Sequence, residues 1–160
     1  MTNSRKKNHF VDAKKFYDAM CEYRRQCDLA SAQELPRPRI PNYIGECFLK
    51  IATHLAHRPN FSNYVFVEEM ISDAIESMIV YCHNFDPTKT KSAFAYFTQI
   101  SWYSFLRRIE REKKQLAVFD KMVEKSSYST FFDGDISGTL ELAQYEQLKS
   151  TLDIKRRNGK

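Results

Sequence analysis

Glycine and proline are scarce in this sequence, four and five residues in a chain of 160. Turn-rich β-sandwiches, collagen-like repeats and low-complexity linkers need more of both, so those classes are excluded. Long hydrophobic runs are missing as well. No apolar stretch approaches the roughly 20 residues that cross a bilayer as a helix, although 42% of the chain is hydrophobic, enough for one domain-sized core. The basic start, Met1 to Lys7, leads into no apolar segment, so it does not read as a signal peptide and nothing marks the chain for export.

Cysteine is present but unpaired in pattern. Cys21, Cys27, Cys47 and Cys82 are scattered, with no CxxC spacing, and His54 and His57 stand three apart with no Cys or carboxylate at matching spacing. A zinc knuckle needs ligands that converge on one tetrahedron, so free thiols in a reducing compartment are expected, with no metal and no cofactor. Catalytic signatures are lacking too: there is no GxSxG, P-loop, HExxH or Gly-rich dinucleotide turn. The expectation is a binding protein, not an enzyme.

Positive charge is absent from one long stretch, and that absence is informative. The formal net charge is +5, yet Pro59 to Thr88 holds no Lys or Arg while Glu68, Glu69, Asp73, Glu76 and Asp86 fall inside it. Lys89 and Lys91 follow, then Arg107, Arg108, Arg111, Lys113 and Lys114, and the chain closes on Lys155-Arg156-Arg157-Asn158-Gly159-Lys160. Segregation of this kind suits two different partners; solvated helix faces are the alternative.

Periodicity predicts an all-α fold. Residues 1–9 are polar and basic, of the composition that stays unordered. Phe16, Met20, Tyr23 and Cys27 recur at helical spacing over Val11 to Ala30, with Asp12 placed to cap that helix. Pro36, Pro38 and Pro41 fall within six residues, so the chain there is read as a linker. Three segments result: an N-terminal basic arm, helix and Pro-rich linker over 1–41, a helical body over 42–125 and a short extension over 126–160. Within the body, helices are predicted over 42–57, 67–83 and 92–124, with Phe48, Ile51, Leu55, Ile71, Ile75, Met78, Phe85, Phe94 and Phe97 in the core. Ile79 is read with the apolar surface of the helix over 67–83. A short helix is expected over 139–152. There is no internal repeat.

The densest pattern is the run from Ser92 to Lys114, aromatic first and basic next. Bases stack on aromatic faces, and cations hold the phosphates to either side. Phe94, Phe97 and Phe105 sit at core spacing. Tyr96, Gln99, Trp102 and Tyr103 remain for a nucleic acid, followed by Arg107, Arg108, Arg111, Lys113 and Lys114.

Glu69-Met70-Ile71-Ser72-Asp73-Ala74-Ile75-Glu76, Asn84-Phe85-Asp86-Pro87, Ala93-Phe94-Ala95-Tyr96-Phe97 and Trp102 to Arg108 together resemble region two of bacterial RNA polymerase sigma factors. The closer resemblance is to the late-transcription sigma factors of T-even-type bacteriophages, and it covers about Asn42 to Gln115, carried most specifically by the Asn-Phe-Asp turn at its spacing from the acidic helix. It implies a helical region-two domain with an N-terminal helical arm and a short C-terminal extension. It implies docking on the clamp coiled coil of the largest subunit of host core RNA polymerase through Glu69, Met70, Asp73 and Glu76. It implies recognition and melting of the A/T-rich minus-ten element of late promoter DNA, with Tyr96 as stacking tyrosine, in the cytoplasm of the infected bacterial host and at no membrane. Primary sigma factors carry a Trp pair as a wedge, where this chain has Gln99 and Ile100, with its single Trp further on at position 102. No helix-turn-helix pattern for a minus-thirty-five element follows residue 125. Ser150-Thr151-Leu152-Asp153-Ile154 faintly resembles the motif by which phage late sigma factors dock on the DNA sliding clamp, and a phage co-activator is a further partner the resemblance leaves room for. Two other readings stay open: a helical phage protein that binds host polymerase as an inhibitor or co-regulator, and a nonspecific single-strand nucleic-acid-binding module.

Overall fold

Asp12 starts the first helix as its side chain promises. Its carboxylate accepts hydrogen bonds from the backbone N–H groups of Lys14 and Lys15, both at 3.1 Å, and so satisfies two donors that the first turn leaves without partners. Helix α1 then runs over Ala13–Ala32. It stops at Glu34, which takes the left-handed conformation, φ 55°, while the Leu35 N–H reaches back to the Ala30 carbonyl at 2.9 Å. The Pro-rich stretch follows, and α2 opens directly after Pro41, over Asn42–Ala56. Helix α3 spans Val67–Tyr81 and ends in a 3-10 turn over Cys82–Asn84. Helix α4, Ala93–Lys125, starts at Ser92, whose hydroxyl accepts from the Ala95 N–H at 3.2 Å.

These elements come from a computed structural model that describes residues 11–125 together with Ala143, Glu146, Gln147 and Ser150. The fold is all-α, with no strand among the described residues. The expectations for residues 1–9, for most of 126–160 and for the clamp-like motif lie outside the described residues. The four described positions beyond 125 are helical and exposed.

Aromatic rings from three helices meet at the centre. Phe16 of α1 packs edge-on against Phe48 of α2 at 6.2 Å and tilted against Phe97 of α4 at 5.6 Å, and Phe48 and Phe97 are 4.7 Å apart. Met20 and Tyr23 are buried in the same core as Ile44, Ile51, Met70, Met78 and Phe105. This corrects the reading of residues 11–30 as an arm separate from the body. The narrow stripe of α1 is buried against α2 and α4, and the Tyr23 hydroxyl donates to the Pro38 carbonyl at 3.2 Å, fastening the Pro-rich connection to the core.

Four further core expectations change. Ile71, Ile75 and Phe94 are only half-buried at the margin of the core. Ile79 is 49% exposed, with Val80 and Tyr81 beside it. The reason is geometric: Met70, Ala74, Met78 and Cys82 already fill the inward side of α3, so apolar residues a third of a turn away face out.

Candidate nucleic-acid interface

Helix α4 has 33 residues and is about 50 Å long at 1.5 Å per residue, whereas α2 and α3 have 15 residues each. Its inner side, through Phe97, Ser101, Ser104, Phe105 and Ile109, is buried on the body. Opposite that side lies a stripe at three- and four-residue spacing: Tyr96, Gln99, Tyr103, Arg107, Arg111 and Lys114. Gln99, Tyr103, Arg107, Arg111 and Lys114 are exposed, and Tyr96 is half-buried. The sequence grouped these six, and the fold brings them together.

An open groove of about 400 Å³ runs beside this stripe, lined by Tyr81, Tyr96, Ile100, Tyr103, Leu106, Arg107 and Glu110. Three tyrosine rings and two aliphatic side chains make a place where a flat apolar group can lie, with the Arg107 guanidinium at one end beside Glu110, whose charge is paired with Lys114. Tyr81, Ile100 and Leu106 are lining residues that sequence reasoning missed. Their only signal was helical phase, and for Tyr81 that signal depends on how α3 is rotated against α4.

Tyr96 is held from below. Its ring meets Phe85 at 5.6 Å and Phe97 at 5.0 Å, both edge-on, and burial pushes its hydroxyl pKa up, with the Cys82 thiol adding a smaller push. Phe85 belongs to the Asn84-Phe85-Asp86-Pro87 turn, which is itself fixed on two sides. Asp86 accepts from the Thr88 hydroxyl at 2.7 Å and the Thr88 N–H at 2.9 Å, and these two bonds, hydroxyl first, hold its carboxyl below the usual range against the opposing effect of burial, with Lys89 at 3.4 Å adding to them. From α1, Tyr17 packs edge-on to Phe85 at 6.0 Å and donates to the Pro87 carbonyl at 3.3 Å, and Arg24 donates to the His83 carbonyl.

Three expected nucleic-acid residues are not on the stripe. Trp102 lies about 120° round the helix from Tyr96, at about 100° per residue. Its half-buried indole packs edge-on to Phe61 at 4.9 Å, and Phe61 in turn meets Phe105 at 5.0 Å. Lys113 is exposed and falls on the Trp102 side of the helix. Arg108 points to α3. Its Nε donates to Asp73 Oδ2 at 2.6 Å, its Nη2 to Asp73 Oδ1 at 2.8 Å and its Nη1 to Glu112 Oε1 at 3.1 Å. Arg107 stays exposed while its Nη2 donates to Ser77 Oγ at 3.2 Å, and Lys114 pairs with Glu110 at 2.8 Å on the surface, which lowers the Glu110 pKa.

The acidic helix divides in the same way. Glu69 and Glu76 are exposed on its outer side, near Ile79 and Val80. Met70 is fully buried, so it shapes the core rather than an outer face. Asp73 does not face outward as the resemblance implied, because the Arg108 fork holds it between α3 and α4.

Among the described residues there is no group of three or more His, Cys, Asp or Glu side chains that could hold a metal ion, and no helix is long and apolar enough to cross a membrane. No protein-family model matches the chain, and no curated protein matches it either.

Proposed function

We propose that this chain is a sigma-type specificity subunit for late transcription in a bacteriophage. It docks on host core RNA polymerase through the outer face of α3, around Glu69 and Glu76, in the cytoplasm of the infected host. It presents the α4 stripe to the A/T-rich minus-ten element and holds the melted strand there. Tyr96 and Tyr103 supply stacking faces, and Arg107, Arg111 and Lys114 attract the backbone. The observation that carries this reading is the pairing of two neighbouring helices, one with an acidic and apolar outer face free of Lys and Arg, the other with an aromatic and basic stripe beside a groove.

The groove with its three tyrosines also favours a second reading, a nonspecific single-strand binder. That function has no use for the acidic face of α3. Run-off transcription with purified host core polymerase on a short A/T-rich promoter separates the two. A specific transcript that depends on the protein supports the sigma-type reading. Strand binding with no transcript and no capture of core polymerase supports the second, and repression of a host promoter would point to an inhibitor.

A further inference from the structure

We propose that Arg108 is a positioning residue, an interhelical strut that locks the acidic helix α3 to the aromatic-basic helix α4, and not a contact to nucleic acid. The inference rests on the proposed function for what the two faces bind, but its structural half stands on geometry alone.

Arg108 and Asp73 are 35 positions apart in sequence and meet as a two-pronged fork, Nε to Oδ2 at 2.6 Å and Nη2 to Oδ1 at 2.8 Å. Charge-assisted, bidentate pairs of this kind fix direction as well as distance. The third arm, Nη1 to Glu112 at 3.1 Å, turns the guanidinium away from the Tyr96 stripe. The Arg108 side chain is 16% exposed and that of Asp73 25%, and the Arg108 charge is already shared between two carboxylates, so it offers a phosphate little, and a phosphate that took their place would leave a carboxylate partly buried and unpaired.

The fork is one rung of a longer seam. Ser77, one turn along α3 from Asp73, donates to Ser104 at 3.3 Å and accepts from Arg107 at 3.2 Å, and Ser101, whose hydroxyl donates to the Phe97 carbonyl at 3.0 Å, lies 3.3 Å from the Met78 sulfur. The partners descend on α4 as they ascend on α3, so the helices are antiparallel and the seam sets both their rotation and their slide. Asp73 stands between Glu69 and Glu76 in sequence, and Arg108 follows Arg107 of the stripe. Loss of the fork therefore loosens the docking face against the stripe, with the serine contacts and the core still joining the two helices.

Single-residue and double variants test this with three readouts. In thermal unfolding, Arg108→Ala and Asp73→Ala should each lower the midpoint, and the double variant should be no less stable than the weaker single one. Additive losses would overturn the strut whatever the protein binds. In binding to a labelled A/T-rich single-stranded DNA, Arg107→Ala should flatten the slope of log affinity against log salt by about 0.7, the value for one lost phosphate contact on a single strand. Arg108→Ala should leave that slope as in the wild type, and a flattening equal to that of Arg107→Ala would overturn the proposal. With core polymerase, Arg108→Ala should still be captured and still bind single strands, yet open a fully paired promoter less well, and the charge exchange Asp73→Arg with Arg108→Asp should restore opening. Capture and single-strand binding kept by Arg108→Ala while opening falls is what a general loss of stability would not give, and an exchanged variant no better than Arg108→Ala overturns the coupling. Should the wild type bind neither DNA nor polymerase, the functional reading fails while the unfolding cycle still decides the strut.

Discussion

Tyr96 and Asp86 show how a single side chain gets its behaviour from what lies beneath it. Tyr96 lines the groove while its ring is held by edge-on contacts with Phe85 and Phe97. Under the proposed function, Tyr96→Ala should still bind core polymerase and fail to open a paired promoter, while Tyr96→Phe, which keeps the ring, should open it. Stacking is worth about 1–3 kcal/mol per base, so the loss is about fivefold to 150-fold. Permanganate footprinting of unpaired thymines reads it directly, a template already unpaired at the minus-ten element should partly rescue it, and normal opening by Tyr96→Ala would remove the stacking role. Asp86 carries a pH prediction. Its carboxyl pKa is lowered in the fold by the Thr88 hydroxyl and N–H. A depressed carboxylate adds stability above its unfolded pKa and loses it as pH falls through the folded one. Asp86→Ala should therefore lower the unfolding midpoint at neutral pH, and the gap to wild type should close in acid. A gap that persists in acid would mean the Asp86 bonds do not hold the turn.

At the scale of helices, much was legible in the sequence. Asp12, Pro41 and Ser92 mark the starts of α1, α2 and α4 because capping and proline chemistry is local, and no Gly or Pro interrupts α4. The aromatic-basic run was legible as a run, but it was not sorted by helical phase, so Trp102, Arg108 and Lys113 were grouped with the six residues that share the stripe. What failed was relative placement. Nothing in the spacing says that Asp73 on one helix meets Arg108 on another, that Trp102 turns to Phe61, or that the stripe of α1 belongs in the common core. A Pro-rich connection reads as a boundary, but here Tyr23 bonds its Pro38 carbonyl and the helix before it supplies Phe16 to the centre. A separable arm and an integral helix give different outcomes for Phe16→Ala. As an integral core residue, fully buried, it should lose about 3–5 kcal/mol. Chemical unfolding measures this, and a midpoint equal to wild type would restore the arm.

The whole molecule has an uneven charge surface: the chain is net positive, yet the outer side of α3 presents Glu69 and Glu76 with no Lys or Arg between Pro59 and Thr88, while the neighbouring stripe of α4 is basic. The seam at Asp73 and Arg108 keeps these opposite surfaces side by side without letting them cancel, because the pair at the boundary is satisfied internally. Under the proposed function, the acids steer α3 to a basic partner, and Ile79 and Val80, about half exposed, supply the apolar contact that holds it. These contributions separate by salt. Glu69→Lys with Glu76→Lys should weaken capture of core polymerase about tenfold at low ionic strength, an effect that shrinks as salt screens it. Ile79→Ala with Val80→Ala should weaken capture by an amount that salt does not reduce, since apolar burial is unscreened. Both double variants change exposed positions, so unfolding midpoints should stay near wild type, and single-strand DNA binding through α4 should persist in both. Affinity for purified core polymerase at two salt concentrations distinguishes them, and wild-type affinity in both variants would place the docking surface elsewhere than on α3.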